Sequence, residues 1–204
     1  MEKFTTLTAI AVPLEGANID TNQLCPSRFS KTPRGPEYAR ILLHDARFNP
    51  DGSTKGHVLD REPYRGARIL VADRNFGCGS SREGAVYGLC EFGIRCVIAP
   101  SFGEIFLNNC YKNGLLPVVL PAEACAQIRR QIAERPGAEL AVDLPAQVVT
   151  DALGRAHRFE INPVRKRCLL EGLDDIARTE SYGAEIAAFE TRDRAARPWL
   201  WFYL

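Results

Sequence analysis

Alternating hydrophobic and polar positions open the chain, and residues 5–14 therefore predict a β-strand. From Arg68 onward, short apolar runs alternate with longer stretches that have helical periodicity. The apolar runs predict strands at 68–73, 95–99 and 115–120, and the periodic stretches predict helices at 81–92, 102–112 and 122–134. Such repeated β-α-β units imply parallel strands that are joined by right-handed crossovers.

The last third of the chain predicts a different arrangement. Residues 139–161 indicate an antiparallel hairpin that turns at Asp151 to Gly154, and Pro163 opens a helix that ends near Leu170. Another helix is predicted over residues 182–191. The predicted fold class is therefore α/β: a single domain over residues 1–204, with a mostly parallel β-α-β core and an added antiparallel hairpin.

Two regions lack this regularity. Residues 30–66 are rich in proline, glycine and aspartate and contain one short helix-like stretch at 38–43. Irregular regions of that length are often functional. Residues 192–204 form a C-terminal tail that ends in the apolar run Pro198 to Leu204. A solvated apolar tail would be an exposed patch, so we expect it to dock on this domain or on a partner.

Composition and charge exclude several classes of protein. Hydrophobic residues make up 46% and charged residues 25% of the 204, which is ordinary for a globular domain. The formal net charge of +1 does not favour a nucleic-acid partner or a membrane partner. No apolar run reaches transmembrane length, and the first residues lack the hydrophobic region of a signal peptide. We therefore expect a cytoplasmic location.

The seven cysteines are scattered along the chain and include no C-x-x-C pair. This pattern argues against a zinc ribbon, a thioredoxin motif or a disulfide framework, and we expect no metal site on this chain. Cys78 differs from the others because it lies inside a glycine-rich turn. No histidine belongs to its motif, so we interpret Cys78 as a packing residue or a redox-sensitive bystander rather than a nucleophile.

That turn has the sequence NFGCGSSRE over residues 75–83, between a predicted strand and a predicted helix. Backbone N–H groups at a helix N-terminus favour an anion, an arginine can bind a carboxylate bidentately, and a serine alkoxide can be stabilised there. The turn therefore suggests proton abstraction from a small polycarboxylate. The alternative is structural: Ser80 and Glu83 have the spacing of a capping box, as do Ser101 and Glu104 before the next helix.

Other motifs are absent or incomplete. Gly77 and Gly79 begin a G-x-G-x-x-G pattern, but Arg82 occupies its last position, which argues against a dinucleotide site. The chain contains neither G-x-x-x-x-G-K-[ST] nor G-x-S-x-G. The three histidines have no ligand spacing, and His157, in the predicted hairpin, is interpreted as structural.

The turn sequence resembles the signature of the aconitase-type swivelling domain, and four further segments extend that resemblance. They are NIDTNQLCP at 18–26, VIAPSFGEIF at 97–106, NCYKNGLLP at 109–117 and CLLEGLDDI at 168–176. Together they resemble the family of 3-isopropylmalate dehydratase small subunits over nearly the whole chain. The resemblance implies a swivelling domain with β/β/α layers.

The resemblance also implies a function: a two-chain hydro-lyase of leucine biosynthesis that interconverts 2- and 3-isopropylmalate by dehydration and rehydration. The partner would be a large subunit whose [4Fe–4S] cluster binds the hydroxyl and a carboxylate of the small hydroxy-dicarboxylate substrate. Ser80 matches the family's catalytic base, while Ser81 and Arg82 match its carboxylate-binding positions. Arg28 is a candidate for a second carboxylate contact or a surface arginine. The residues expected to shape the loops are Asp20, Thr21, Gly77 and Gly79.

Some positions depart from the family pattern. Gly84 replaces the usual histidine, Asn22 the usual aspartate and Cys25 an aliphatic residue. Residues 29–33 do not match the family's usual specificity loop. These departures leave two alternatives open: a dehydratase small subunit for another hydroxy diacid, such as citramalate, dimethylmalate or homocitrate, or a swivel-domain module without catalysis.

Overall fold

A computed structural model, which describes residues 1–201, contains one mixed seven-stranded sheet. Its strands are β1 (Thr6–Pro13), β2 (Ile69–Val71), β3 (Cys96–Ala99), β4 (Leu116–Val119), β5 (Glu139–Asp143), β6 (Val148–Thr150) and β7 (Ala156–Arg158). Their spatial order is β4-β3-β2-β1-β5-β6-β7. The neighbours from β4 to β1 are parallel, and those from β1 to β7 are antiparallel. The α/β fold with a parallel core and an added hairpin is confirmed.

Strand β1 joins the two halves of the sheet. Ala11 to Pro13 pair with β2, whereas Thr6 to Ile10 pair with β5. All residues of β2 and β3 are buried, as expected for parallel strands that are covered on both faces. The buried apolar side chains form one cluster that extends from Phe4 to Leu169.

Nine α-helices accompany this sheet in the described part of the chain. They are α1 (Thr21–Leu24), α2 (Tyr38–Ile41), α3 (His44–Arg47), α4 (Gly84–Phe92), α5 (Glu104–Lys112), α6 (Ala122–Glu134), α7 (Pro163–Glu171), α8 (Asp175–Glu180) and α9 (Gly183–Ala196). The predicted bounds of α6 are confirmed, and Gly93 ends α4 with a φ of +108°. None of the helices within residues 1–201 is long and apolar enough to cross a membrane.

The two predicted capping boxes are wrong. Helix α4 begins at Gly84 and α5 at Glu104, and neither N-terminus has a side-chain cap. The two serines make tertiary contacts instead: the Ser80 hydroxyl contacts Thr21, and the Ser101 hydroxyl accepts a hydrogen bond from the Asn75 N–H at 2.8 Å. The sequence spacing of each serine predicted a helix cap, but in the structure each serine side chain contacts a residue far away in the chain instead.

The irregular region is packed rather than loose. It contains the two short helices α2 and α3, of which the sequence predicted only the first. Arg47 is buried, and its guanidinium donates to the Asp60 carboxylate and to the carbonyl oxygens of Ala39 and Leu42. One buried arginine therefore ties several turns of this segment together.

The predicted turn of the hairpin is organised by Asp151. Its buried carboxylate accepts hydrogen bonds from Gln131 and Arg155, and Nε2 of His157 lies 3.1 Å from it. Burial alone would raise the pKa of Asp151, but hydrogen bonds from His157, Gln131 and backbone amides hold it well below the ordinary value. The structural interpretation of His157 is confirmed.

The C-terminal segment projects apolar side chains into solvent. Phe189, Trp199 and Leu200 are each more than half exposed. Helix α9 extends into the predicted tail as far as Ala196, and the indole N–H of Trp201 donates to Asp193 at 3.0 Å, so the residues after α9 fold back on that helix. Docking on a partner stays a prediction, and Phe202 to Leu204 lie outside the described residues.

Candidate active site

The glycine turn lies at the edge of the sheet where the parallel strands end. The segments that follow β1 and β3 flank it, because the carboxyl ends of parallel strands meet at one edge. On one side the Gly77 N–H donates to the Ile19 carbonyl at 2.7 Å. On the other side the Phe76 N–H donates to the Ser101 carbonyl at 3.0 Å. The turn is therefore held by backbone hydrogen bonds on both sides.

Gly77 and Gly79 have different roles in this turn. Both have positive φ values, +71° and +95°. A Cβ on Gly77 would lie 2.2 Å from the ring of Phe106, whereas one on Gly79 would have ordinary contacts with Asp20 and Thr21. A side chain of the protein, rather than a ligand, therefore requires glycine at position 77.

Ser80 is exposed, and its neighbour is the buried Thr21. The two hydroxyl oxygens lie 3.1 Å apart. The Ser80 N–H donates to Thr21 Oγ1 at 3.1 Å, and the Thr21 hydroxyl is also 3.1 Å from the Ser80 carbonyl oxygen. The candidate base is therefore fixed by a side chain that comes from the loop after β1.

Asp20 shapes that loop through a capping box on α1. The Gln23 N–H donates to Asp20 Oδ1 at 2.7 Å, and the Asp20 N–H donates to Gln23 Oε1 at 2.9 Å. The Thr21 N–H donates to the Cys78 carbonyl at 2.8 Å. Asp20 thus fixes the first turn of α1, from which Thr21 reaches Ser80.

Arg82 lies beside Ser80 in the chain and contacts the same loop. Its Nη1 donates to Oδ1 of Asn22 at 2.7 Å, and that oxygen also accepts from the Ser27 N–H at 3.1 Å. The amide orients the guanidinium without neutralising its charge. Ser81, between the two, is exposed.

Arg28 has a different environment. It lies in a short 3₁₀ helix, and its guanidinium forms a two-point ion pair with Asp45 in which Nη1 donates to Oδ2 at 3.0 Å. Nδ1 of His44 is 3.2 Å from Nη2, and the guanidinium packs over the ring of Phe29. The candidate second contact is therefore already paired with a carboxylate.

Two departures from the family pattern touch each other. A Cβ on Gly84 would lie 3.1 Å from Sγ of Cys25 and 3.4 Å from the ring of Tyr38. Tyr38 in turn donates from its hydroxyl to the Thr32 carbonyl at 3.0 Å. Gly84 and Cys25 therefore pack against each other at the start of α4. Tyr38 contacts the same place and links it to the loop at 29–33.

Two residues that support the site were missed by sequence reasoning. Asn22 was noted only as a departure, although its amide oxygen holds Arg82. Arg129 is buried on α6 and donates to the Ala72 carbonyl at 2.7 Å and to Asp73 at 3.1 Å, just before the glycine turn. A charged residue on the buried face of α6 was the signal that could have identified Arg129.

Four of the seven cysteines lie in environments that disfavour a metal ligand. Within residues 1–201 no three histidine, cysteine, aspartate or glutamate side chains are grouped so that they could hold a metal ion. Burial raises the pKa of Cys90 and Cys125 to about 11, and it raises the pKa of Cys96 and Cys110 well above the ordinary value. A metal ligand must be a thiolate, which these environments disfavour.

Comparison with known proteins identifies the family. The family model of the aconitase C-terminal domain matches residues 1–123, and the model described as LeuD_N matches residues 126–163.

The 3-isopropylmalate dehydratase small subunit of Gluconacetobacter diazotrophicus is 50% identical over 200 residues, which cover 98% of this chain and 97% of that protein. The protein of the same name from Gluconobacter oxydans is 47% identical over 201 residues, with 98% and 96% covered.

A crystal structure of 3-isopropylmalate dehydratase (leuD) from Methanocaldococcus jannaschii resembles the fold with a TM-score of 0.65. The sequences are 23% identical, and the match covers 90% of this chain and 98% of that one, so this likeness supports the fold alone. The two relatives that match nearly the full length of this chain at 47–50% identity support family membership as well as the fold. The chain belongs to the family of 3-isopropylmalate dehydratase small subunits.

Proposed function

We propose that this chain is the small subunit of a two-chain hydro-lyase that interconverts 2- and 3-isopropylmalate in leucine biosynthesis. The observation that carries the proposal is the glycine turn, which presents Ser80, Ser81 and Arg82 on one edge of the sheet. Family membership gives the reaction class, and the geometry supplies residues that fit it.

The reaction has two difficult steps: a weakly acidic C–H proton must be removed, and hydroxide must leave. We propose that a large subunit carries a [4Fe–4S] cluster, which supplies the Lewis acidity for the departure of hydroxide. Burial raises the pKa of Cys96 and Cys110 well above the ordinary value and so disfavours the thiolates that a cluster needs, and we assign this chain's residues to the proton and to the carboxylates.

Ser80 is the proposed base. A serine hydroxyl is a weak base unless nearby hydrogen-bond donors and positive charge stabilise its alkoxide. The hydroxyl oxygen of Thr21 lies 3.1 Å from Ser80 Oγ. Arg82, two positions after Ser80 in the chain, supplies positive charge. The alkoxide would accept the proton from the substrate carbon as the electron pair left behind expels the hydroxyl group.

Ser81 and Arg82 are the proposed contacts for a substrate carboxylate. The Asn22 amide holds Arg82 in place while leaving its positive charge for an incoming anion. Arg28 is proposed as a second contact, which requires a substrate carboxylate to replace Asp45. Both members of that ion pair are more than half exposed, so water screens their attraction and the exchange costs little.

Ser80 and Ser81 are exposed, which supports the proposal that this surface is half of a site. An alkoxide in open water would be protonated, and carboxylate binding is weakened by solvent. We propose that the large subunit covers the glycine turn and excludes water. A cytoplasmic location belongs to the same proposal and agrees with the seven free thiols.

The test is anaerobic co-expression with a candidate large subunit, followed by an ultraviolet assay for the unsaturated diacid. Isopropylmalate, citramalate and citrate are offered to the pair and to each chain alone. Turnover of isopropylmalate by the pair only is the expected result. Turnover of another diacid would show that the substrate is not isopropylmalate and would leave the proposed mechanism in place. No turnover with a loaded cluster would favour a non-catalytic module.

A further inference from the structure

The hydroxyl of Thr21 makes all of its polar contacts with one residue. Thr21 is 2% exposed, so water does not compete for its hydroxyl group. Within 3.1 Å of its Oγ1 lie the backbone nitrogen, the carbonyl oxygen and the hydroxyl oxygen of Ser80. These contacts allow the Thr21 hydroxyl both to hold the backbone of Ser80 and to interact with the hydroxyl of the proposed base.

A count of protons limits what this hydroxyl can do. A threonine hydroxyl has one proton to donate and two lone pairs that accept. The Ser80 N–H occupies one lone pair. The single proton has two possible acceptors at equal distance, the carbonyl oxygen and the hydroxyl oxygen of Ser80. Thr21 can therefore donate to either oxygen without moving its side chain.

We propose that Thr21 is a positioning residue for the base: it donates to the Ser80 carbonyl when Ser80 is a neutral hydroxyl and to Ser80 Oγ when that oxygen is an alkoxide. The inference rests on the proposed function, in which Ser80 is the base. During the reaction the substrate C–H bond breaks and an O–H bond forms on Ser80 Oγ. Thr21 keeps its own proton throughout and changes only its acceptor.

The surroundings of Thr21 suit this role. Its backbone N–H donates to the Cys78 carbonyl, and the capping box of Asp20 and Gln23 fixes the turn that carries it. A donor held in place before charge develops does not have to reorganise when the charge appears, and such donors contribute strongly in sites that exclude water. The donor and the base come from two loops that the sheet brings together.

The test compares Thr21→Val with Thr21→Ser in the two-chain complex with a loaded cluster. Valine keeps the shape and removes the hydroxyl, so we expect kcat to fall on the order of 100-fold while KM changes less than about threefold. Serine keeps the hydroxyl, and we expect kcat within about threefold of wild type.

A second readout separates this role from a purely structural one. With the abstracted hydrogen replaced by deuterium, the isotope effect on kcat should be at least as large for Thr21→Val as for wild type, because proton transfer becomes more rate-limiting. If Thr21→Val keeps kcat within about threefold of wild type, Thr21 does not assist the base. A fall in kcat with an isotope effect smaller than that of wild type, or a serine variant as impaired as valine, assigns Thr21 to loop shape alone.

The wild-type complex separates this inference from the proposed function. Activity of the wild-type pair on isopropylmalate supports the function, and activity on another hydroxy diacid still provides a substrate for the comparison of variants. A wild-type pair that turns over none of them overturns both proposals. Thermal unfolding of the isolated variants reports whether each still folds.

Discussion

Arg82 and Arg28 lie on two segments that meet at Asn22, yet their guanidinium groups have opposite surroundings. Arg82 donates to the amide oxygen of Asn22 at 2.7 Å. Arg28 donates to both oxygens of Asp45. The same Asn22 oxygen accepts from the backbone of Ser27, next to Arg28, so one amide links the two segments.

The difference shows how a fold can orient a cation and leave its charge available. A neutral amide fixes the guanidinium of Arg82 by geometry alone. The hydrogen bond from Arg28 lowers the pKa of Asp45 to about 2, so that carboxylate stays ionised even in mild acid, and it neutralises Arg28. Under the proposed function Arg82 is thus available to a substrate carboxylate, whereas Arg28 would first have to exchange Asp45 for it.

Of the substitutions that test the difference between the two arginines, those at Arg82 are expected to have the largest effect on kcat/KM. Arg82→Ala removes the proposed charged contact to the substrate in a site that we propose the large subunit closes, and kcat/KM should fall roughly 10²- to 10³-fold. Arg82→Lys keeps the charge but loses the planar two-point geometry, so it should be nearly as impaired. Steady-state kinetics of the loaded complex measures both, and activity of Arg82→Ala within about tenfold of wild type would contradict the assignment.

A smaller effect is expected at Asn22, where two variants separate orientation from charge. Asn22→Leu removes the acceptor for Arg82, and KM should rise about tenfold because the guanidinium is no longer held in place. Asn22→Asp keeps the acceptor and restores the residue that the family usually has at this position, so KM should stay within about threefold of wild type. Equal KM values for the two variants would show that the Asn22 contact does not orient Arg82.

The smallest effects are expected around Arg28, and they have opposite signs. Arg28→Ala should raise KM about threefold, and Asp45→Asn should lower KM about twofold because it releases Arg28 for the substrate. The double variant should behave like Arg28→Ala, since Asp45 acts only through Arg28. Unchanged KM values in all three variants would return Arg28 to the role of a surface arginine.

The sequence predicted the parts of the fold that depend on local periodicity. Helix α6 has the predicted bounds because its buried positions repeat with helical spacing, and the parallel strands follow from short, fully apolar runs. Helix α8 was missed because six residues with no buried position carry no periodic signal.

The site could be predicted only as a set of residues. The contacts that organise it join positions about sixty apart in the chain, Thr21 with Ser80 and Asn22 with Arg82. No local pattern encodes such pairs, so Ser80 was given a helix cap that tertiary contacts override. The sequence likewise does not show why position 77 requires glycine, because the side chain that excludes a Cβ there is Phe106 of helix α5.

The central claim is that the exposed glycine turn supplies the base of a site that a large subunit completes. The most direct measurement is isopropylmalate turnover by the loaded complex that contains Ser80→Ala. The account predicts a loss on the order of 10³-fold or more, with co-purification of both chains and cluster content unchanged. Turnover within about tenfold of wild type would contradict it, because Ser80 would then serve the turn and not the reaction.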